Sequence, residues 1–374
     1  MQHIERSIFD LRRGLPVIVR SPDGDRLVAS IENLSAELFA QIRALAQPDV
    51  SLVLSRHRLA RLKLATGHNA ARLQLAAGDS REDMIRWACA RENALGTRPS
   101  ADQVDGHVSA ADHAALHLMQ RGLLIPAALS AAVTPDKQAE VDAHIASRQW
   151  LAIDAKDVEA HAQTHARLTR VSEANVPLEH AEHSRFVVFR EADGMREHVA
   201  ILIGDTHQWP DPVPVRMHSA CLTGDLFGSL RCDCGPQLRA SVASIAKRGG
   251  GVLLYLAQEG RGIGLANKMR AYHMQDQGLD TVDADQVLGF GQDERSYDVA
   301  LDMLGQIDVT HIDLLTNNPT KLDALHTGGI RVAGRSGIFG KVTPENQRYL
   351  TTKATRSGHW LDALLAEPHS PVDE

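Results

Sequence analysis

The stretch Gly249-Gly250-Gly251-Val252-Leu253-Leu254-Tyr255-Leu256-Ala257-Gln258-Glu259-Gly260-Arg261-Gly262-Ile263-Gly264-Leu265 decides the fold class. Val252–Leu256 is a short apolar run that reads as a buried strand. A helix is expected from Leu265 to about Gln277, closed by Gly278. Between them, Gln258–Gly264 is a glycine-rich turn. It matches neither the G-x-x-x-x-G-K-[ST] loop nor the G-x-G-x-x-G dinucleotide pattern. Glycines there let a backbone approach a ligand, and a helix N-terminus favours an anion such as phosphate. A tight strand-to-helix turn accounts for the same glycines, while Arg261 in the middle points towards phosphate.

Working outward, the same alternation continues. Upstream, Phe186–Phe189, His198–Ile203 and Val213–Met217 read as strands, the first two joined through the polar Arg190–Glu197 stretch. A helix follows Pro236, with Leu238, Val242 and Ile245 on its buried face, stopped by the three glycines. Downstream, Ile312–Leu315 is a strand, and Asn317-Asn318-Pro319 turns into another helix. This order predicts a mixed α/β (α+β) domain with flanking helices.

The first half is less legible. Ile4, Ile8 and Leu11 mark one face of a helix ended by Gly14, Pro16–Val19 a strand, and Ser21–Asp25 a turn. Ser51–Ser55 is a second strand. Ala110–Leu124 reads as a helix with Ala111, Ala115, Leu118 and Met119 on one side. The polar stretch Thr134–Val158 reads as the approach to a boundary near Ala160, giving two domains, 1–160 and 161–374. A length of 374 residues accommodates both.

Composition excludes several classes. Lys plus Arg number 40 against 47 Asp plus Glu, a formal net charge of −7, which argues against a general nucleic-acid binder. No apolar run approaches the roughly 18 residues of a membrane span. The amino terminus, MQHIERSIFDLRRGL, lacks a signal peptide's apolar stretch, so a cytoplasmic location is expected. The four cysteines, Cys89, Cys221, Cys232 and Cys234, form no disulfide framework.

Three of those cysteines make a C-x10-C-x-C set, Cys221, Cys232 and Cys234. Thiolates are soft ligands that suit zinc, and the Cys232-Asp233-Cys234 pair fixes two of them on one turn. Three ligands leave a position for water, the arrangement of a catalytic zinc. Two other readings stand beside it: a closed site completed by His218 or another of the 19 histidines, and a redox C-x-C pair. Asp293-Glu294-Arg295 and Thr316–Lys321 fall in loops, the second at a strand end where α/β sheets place ligands.

The segments Arg216–Asp225 (RMHSACLTGD), Ser229–Gly235 (SLRCDCG), Gln258–Lys268 (QEGRGIGLANK), Arg270–Asp285, Leu288–Phe290 and Leu314–Pro319 (LLTNNP) resemble, in order, the GTP cyclohydrolase II family. FREADGMREHVAILIGD upstream and YLTTKATRSGH downstream are similar to it as well, so the likeness covers most of 185–360. The resemblance implies a zinc-dependent enzyme converting GTP to 2,5-diamino-6-ribosylamino-4(3H)-pyrimidinone 5′-phosphate with release of formate and pyrophosphate, the first step of riboflavin biosynthesis. It implies one zinc per chain on Cys221, Cys232 and Cys234, with its water attacking C8 of guanine, and magnesium on the triphosphate. Tyr272 would assist the ring chemistry, Asp293 accept a proton, and Arg295 act at the α-phosphate. Guanidinium stays protonated, so charge stabilisation by Arg295 competes with its proposed nucleophilic role. GTP contacts map to Arg216, Met217, His218, Ser219, Ala220, Gln237, Glu259, Gly260, Arg261, Thr281, Thr316 and Lys321. Arg216, Arg261 and Lys321 suit phosphate, and Gln237 and Glu259 the base edge. A homodimer is expected from the family.

Two positions depart from the family. Its common His-Ser-Glu-Cys is here His218-Ser219-Ala220-Cys221, and its Arg-Val-Pro-Leu segment is replaced by Arg331-Val332-Ala333-Gly334-Arg335. The first half thinly resembles the dihydroxybutanone phosphate synthase of bifunctional riboflavin enzymes. Where that enzyme carries a run of acids for magnesium, this chain keeps Asp23 and Asp25 alone, so no synthase activity is expected. The alternatives are an unrecognised synthase site, a paralogue acting on another nucleotide, and a non-catalytic GTP sensor.

Overall fold

The computed structural model describes residues 2–46, 49–64, 67–163, 167–340 and 342–361. The chain forms two compact units: Met1–Thr164 with Ala266–Glu294, and His165–Leu265 with Arg295–Glu374. Among the described residues each is built on a seven-stranded sheet flanked by helices, the mixed α/β class expected from the alternating pattern.

The first sheet comprises β1 (Val17–Arg20), β2 (Arg26–Ser30), β3 (Val50–Ser55), β4 (Ala70–Gln74), β5 (Val104–Asp105), β6 (Ala127–Ala132) and β7 (Leu151–Asp154). Their spatial order is β5-β4-β3-β6-β2-β1-β7, antiparallel except for the β1–β7 pair. Ile18, Leu27, Leu52, Leu54, Leu129 and Trp87 are among its buried core residues. The polar stretch Thr134–Val158, expected to approach a boundary near Ala160, is folded into this unit. It supplies the helix Gln138–Ala146, β7 and the start of the helix Ala155–Gln163, with Val141 and Val158 fully buried. The helix expected to reach Leu124 stops at Arg121, because Leu123 adopts φ +57°, which a helix cannot carry.

The segment 266–294 is bound into this unit by side chains from the first half. Arg58, 2% exposed, donates to the carbonyls of Trp87, Arg86 and Ala90, and also to that of Val287 at 2.9 Å. Ser55 Oγ donates to the Gly289 carbonyl, Asn267 Nδ2 to that of Leu123, and Arg270 pairs with Glu32 at 2.6 Å. Arg61 contacts Asp283 and, at 2.9 Å, Gln286.

The second sheet comprises β8 (Leu168–Asn175), β9 (Ser184–Glu191), β10 (Glu197–Ile203), β11 (Val213–Ser219), β12 (Gly251–Leu256), β13 (His311–Leu315) and β14 (Arg331–Ser336). Its order is β14-β13-β11-β12-β10-β9-β8. β8, β9, β10 and β12 pair antiparallel, whereas β12, β11, β13 and β14 run parallel. The helix Cys234–Lys247 crosses from β11 to β12, burying Val242 and Ile245. Gly251, at φ +149°, opens β12 against Pro214, whose carbonyl would lie 2.2 Å from any added Cβ. The parallel register, Ser219 opposite Leu256 and Val215 opposite both Val252 and Leu314, brings the carboxyl ends of β11, β12 and β13 to one edge. Open α/β sheets bind their ligands at such an edge.

Candidate active site

Three loops leave that edge: Ala220-Cys221 after β11, Ala257–Gly264 after β12, and Thr316–Asn318 after β13. The first leads into the cysteine cluster. The sulfurs of Cys221, Cys232 and Cys234 all lie within 4.8 Å of one another. Cys221 and Cys232 are 3.7 Å apart, far longer than a disulfide, and all three thiols are free. That spacing matches the edge of a tetrahedron with zinc–sulfur bonds of about 2.3 Å, which is roughly 3.8 Å. Contact with Cys221 pushes the Cys232 thiol up, and contact with Cys221 and Cys232 pushes Cys234 well up. Three adjacent thiols therefore resist ionising together unless a cation joins them, which is what a metal centre requires. Gly224 lies against the cluster, and a Cβ there would meet Cys232 Sγ at 2.6 Å and Cys221 Sγ at 3.1 Å.

Among the described residues no histidine joins the sulfurs. His218 Nε2 instead donates to Asp225 at 3.1 Å, and its ring stacks on Tyr255. Burial lowers the His218 pKa in spite of that carboxylate, so the imidazole is neutral. Asp225 also accepts from the Cys221 backbone N–H and the Tyr255 hydroxyl, both at 3.0 Å. One carboxylate thereby fixes the orientation of the Cys221 turn.

A second carboxylate supports the other two cysteines. Asp233 is 1% exposed and lies 3.3 Å from Lys353 on the helix Pro344–Ser357. Burial opposes the Lys353 charge, but Asp233 and its neighbours outweigh it and hold the ammonium charged. Gln237 Nε2 donates to Asp233, and Gln237 Oε1 accepts from Arg216 at 2.8 Å. Arg216 also donates to the Leu315 carbonyl, and burial lowers its pKa to about 10. A buried polar line thus runs Arg216–Gln237–Asp233–Lys353.

The β12 loop is a tight turn with Gly260 at φ +64° and Arg261 at φ +61°. A left-handed arginine costs roughly 1 kcal/mol and persists where surroundings over-determine it. Glu259 bonds the backbone N–H of Leu222 at 2.6 Å, tying this turn to the cysteine loop. In the β13 loop, Asn318 caps the helix Pro319–Thr327 and Asn317 bonds the Ile338 backbone, so both asparagines serve the fold. Lys321 donates to the Met217 carbonyl, and Arg295 lies 3.5 Å from Ser219 Oγ. Both cations face the Tyr297 ring, at 6.0 Å and 5.8 Å. His359 reports the local field: burial, then the charges of Lys353, Arg295, Arg261 and Lys321, lower its pKa to about 3. Four cations thus act on one imidazole, a local field that favours negative charge.

The second unit therefore gathers Arg216, Met217, His218, Ser219, Ala220, Cys221, Cys232, Cys234, Gln237, Glu259, Gly260, Arg261, Arg295, Thr316 and Lys321. Tyr272, Thr281 and Asp293 belong to the segment of the first unit. Tyr272 lies on the helix Leu265–Asp276 with the Lys268 ammonium 5.5 Å from its ring, and Thr281 opens the helix Thr281–Val287. Sequence reasoning missed Asp225, Asp233, Tyr255, Tyr297, Lys353 and His359. Asp225, Asp233, Lys353 and His359 stand inside quoted motifs, whose non-cysteine polar residues were the available signal.

Fold and site define an α/β protein with a three-thiolate candidate metal centre beside a cation-rich site. A family model described as GTP cyclohydrolase II matches residues 169–337. The GTP cyclohydrolase-2 of Azospirillum brasilense is 40% identical over 368 residues, covering 96% of this chain and 94% of that protein. That of Xylella fastidiosa strain Temecula1 is 41% identical over 375 residues, covering 99% and 90%. Among solved structures, a two-domain 3,4-dihydroxy-2-butanone 4-phosphate synthase from A. baumannii is similar at 17% identity and a TM-score of 0.33. It covers 90% of this chain and 99% of that one. The chain belongs to the GTP cyclohydrolase II family.

Proposed function

We propose that this protein hydrolyses GTP to 2,5-diamino-6-ribosylamino-4(3H)-pyrimidinone 5′-phosphate, formate and pyrophosphate, the first step of riboflavin biosynthesis. The observation that carries this reading is the convergence of three sulfurs at the carboxyl edge of parallel strands. Cys221, Cys232 and Cys234 would hold one zinc ion, which when bound supplies Lewis acidity and a coordination position for water.

The protein's own groups do the rest. Asp225 and the Asp233–Lys353 pair hold the cysteine turns in place. Arg261, Arg295 and Lys321 take the triphosphate, with magnesium offsetting the remaining charge. Arg295 stabilises charge at the α-phosphate, as befits a permanently protonated guanidinium. Asp293 accepts a proton, and Tyr272 steadies charge developing on the guanine ring. Arg216 and Gln237 form one wall, with Gln237 turned towards Asp233.

We assign the chemistry to residues 161–374, Tyr272, Thr281 and Asp293 included, and a cytoplasmic homodimer as the working form. Residues 1–160 form a diverged synthase-like domain without synthase activity. In support, Asp25 pairs with Arg20 and the Ser21–Gly24 turn closes on itself. Among the described residues no helix is long and apolar enough to cross a membrane.

The test is GTP turnover by the full-length protein with magnesium, following formate, pyrophosphate and pyrimidine separately, beside a zinc count. All three products with one zinc per chain are expected. Bound GTP that survives prolonged incubation would replace this reading with a sensor. Turnover of a different nucleotide in preference to GTP would replace it with an altered-substrate paralogue, which Ala220 favours.

A further inference from the structure

The first unit contains a cavity of about 510 Å³ whose lining residues all belong to that unit. Four arginines, Arg58, Arg61, Arg91 and Arg98, line it with one carboxylate, Glu92, and a second carboxylate, Asp283, pairs with Arg61. The wall is thus strongly basic in a chain whose net charge is −7. Glu92 is already engaged by Lys63 at 2.8 Å and by Arg98. Arg58 is nearly fully buried, yet its bonds all go to backbone carbonyls. Arg91 bonds the neutral Gln277 at 2.7 Å. Neither Arg58 nor Arg91 has a carboxylate partner among the described residues.

We propose that this cavity binds an organic phosphate monoester with an apolar body, and that its occupation loosens the bonds holding residues 266–294. Guanidinium forks match phosphate oxygens bidentately. The volume is that of a small-molecule site, and Leu62, Leu95, Leu279 and Val287 offer the apolar wall. A buried arginine charge without a full counter-charge is costly, and an anion here supplies one. The coupling is built into the same arginines. Arg61 holds Asp283 and Gln286, Arg91 holds Gln277, and Arg58 holds the Val287 carbonyl. Arginines that turn to a phosphate release partners on the segment that carries Tyr272, Thr281 and Asp293. That such a ligand would modulate GTP hydrolysis rests on the function proposed above. Binding and coupling do not.

The experiment is calorimetry on the full chain with 1-naphthyl phosphate, 1-naphthol and inorganic phosphate, joined to hydrogen exchange of residues 266–294. The ester is expected to bind one per chain, at least about tenfold tighter than either fragment, a gap of roughly 1.4 kcal/mol. Arg91→Ala and Arg98→Ala should each weaken it about tenfold, while Arg216→Ala leaves it intact. Exchange in 266–294 should rise on binding in the wild type. Absence of binding at about 1 mM overturns the proposal, as does binding that Arg216→Ala removes and the other two spare. Binding with unchanged exchange overturns the coupling. GTP turnover is recorded separately, so its absence would count against the proposed function and leave the binding result standing.

Discussion

The two units use seven strands each, and one buried charge in each, Asp112 in the first and Arg216 in the second, is treated in opposite ways. In the first, Asp112 is fully buried and accepts from Ser109 Oγ and N–H and from Ser130 Oγ, with Arg26 Nε at 3.2 Å. Acid, base and hydroxyls there complete one another. In the second, Arg216 is also buried, at 6% exposed, but meets a carbonyl and an amide, and its Nε has no partner among the described residues. Gln258 Oε1 and His359 Nδ1 are buried in the same condition. A closed network stabilises a fold. An incomplete one, beside three thiols and a group of cations, retains free energy that a ligand can recover.

The largest expected effect falls on the incomplete side. Cys232→Ser should abolish turnover, by more than about 100-fold, and empty the metal site while the thermal unfolding of the first unit stays unchanged. Zinc analysis and calorimetry check both halves. Next comes the closed side, where Asp112→Ala removes the fully buried acid of Arg26 and leaves it only the more exposed Asp49, at 3.4 Å. A loss of about 3–5 kcal/mol in denaturant unfolding is expected. Zinc content equal to wild type in the protein that remains folded would show that the two networks are independent.

Lys353→Met sharpens the comparison by opening the Asp233–Lys353 pair near the thiols. Zinc should be lost to a chelator about 10–100-fold more readily, with Lys353→Arg restoring much of the difference. A uniform change in stability with unaltered chelation would reduce Lys353 to packing.

A smaller effect concerns His117, which burial, helped by neighbouring His161 and Arg121, holds at a pKa of about 4. The unfolded chain binds this proton near pH 6.5, so its contribution to stability is complete above that value. It is lost progressively as pH falls from about 6.5 to 4, by roughly 1–3 kcal/mol. His117→Gln should flatten that part of the stability–pH curve. The smallest effect is expected from Ala220→Glu. The Ala220 N–H bonds the Leu256 carbonyl, so its backbone role survives and turnover should stay within about twofold.

Much of the second unit was legible because its strands are short apolar runs between glycines and its helices carry one buried face. β9, β10, β11, β12 and β13 all fall on predicted runs. β14, Arg331–Ser336, was passed over because a half-exposed edge strand of alternating polarity and a glycine has no apolar run. β6 escaped because its Ala-rich sequence, AALSAA, is silent on period. The cysteine trio was readable from spacing, since ligands ten and one residues apart are brought together by local turns. Asp233 and Lys353 were not, because 120 residues separate them and no periodicity links the two.

By itself, the sequence determined the class of fold, the thiolate set and the family, since each depends on local spacing or on long motifs in register. Only the tertiary structure decided that His218 serves Asp225 and stands outside the sulfur cluster. Only there did Gly224 prove to be the space the sulfurs need. It also decided that residues 266–294 belong with the first half, through Arg58, Ser55 and Arg61. The reason is physical: hydrogen bonds and desolvation depend on what lies within about 3 Å in space, and chain order does not encode that distance.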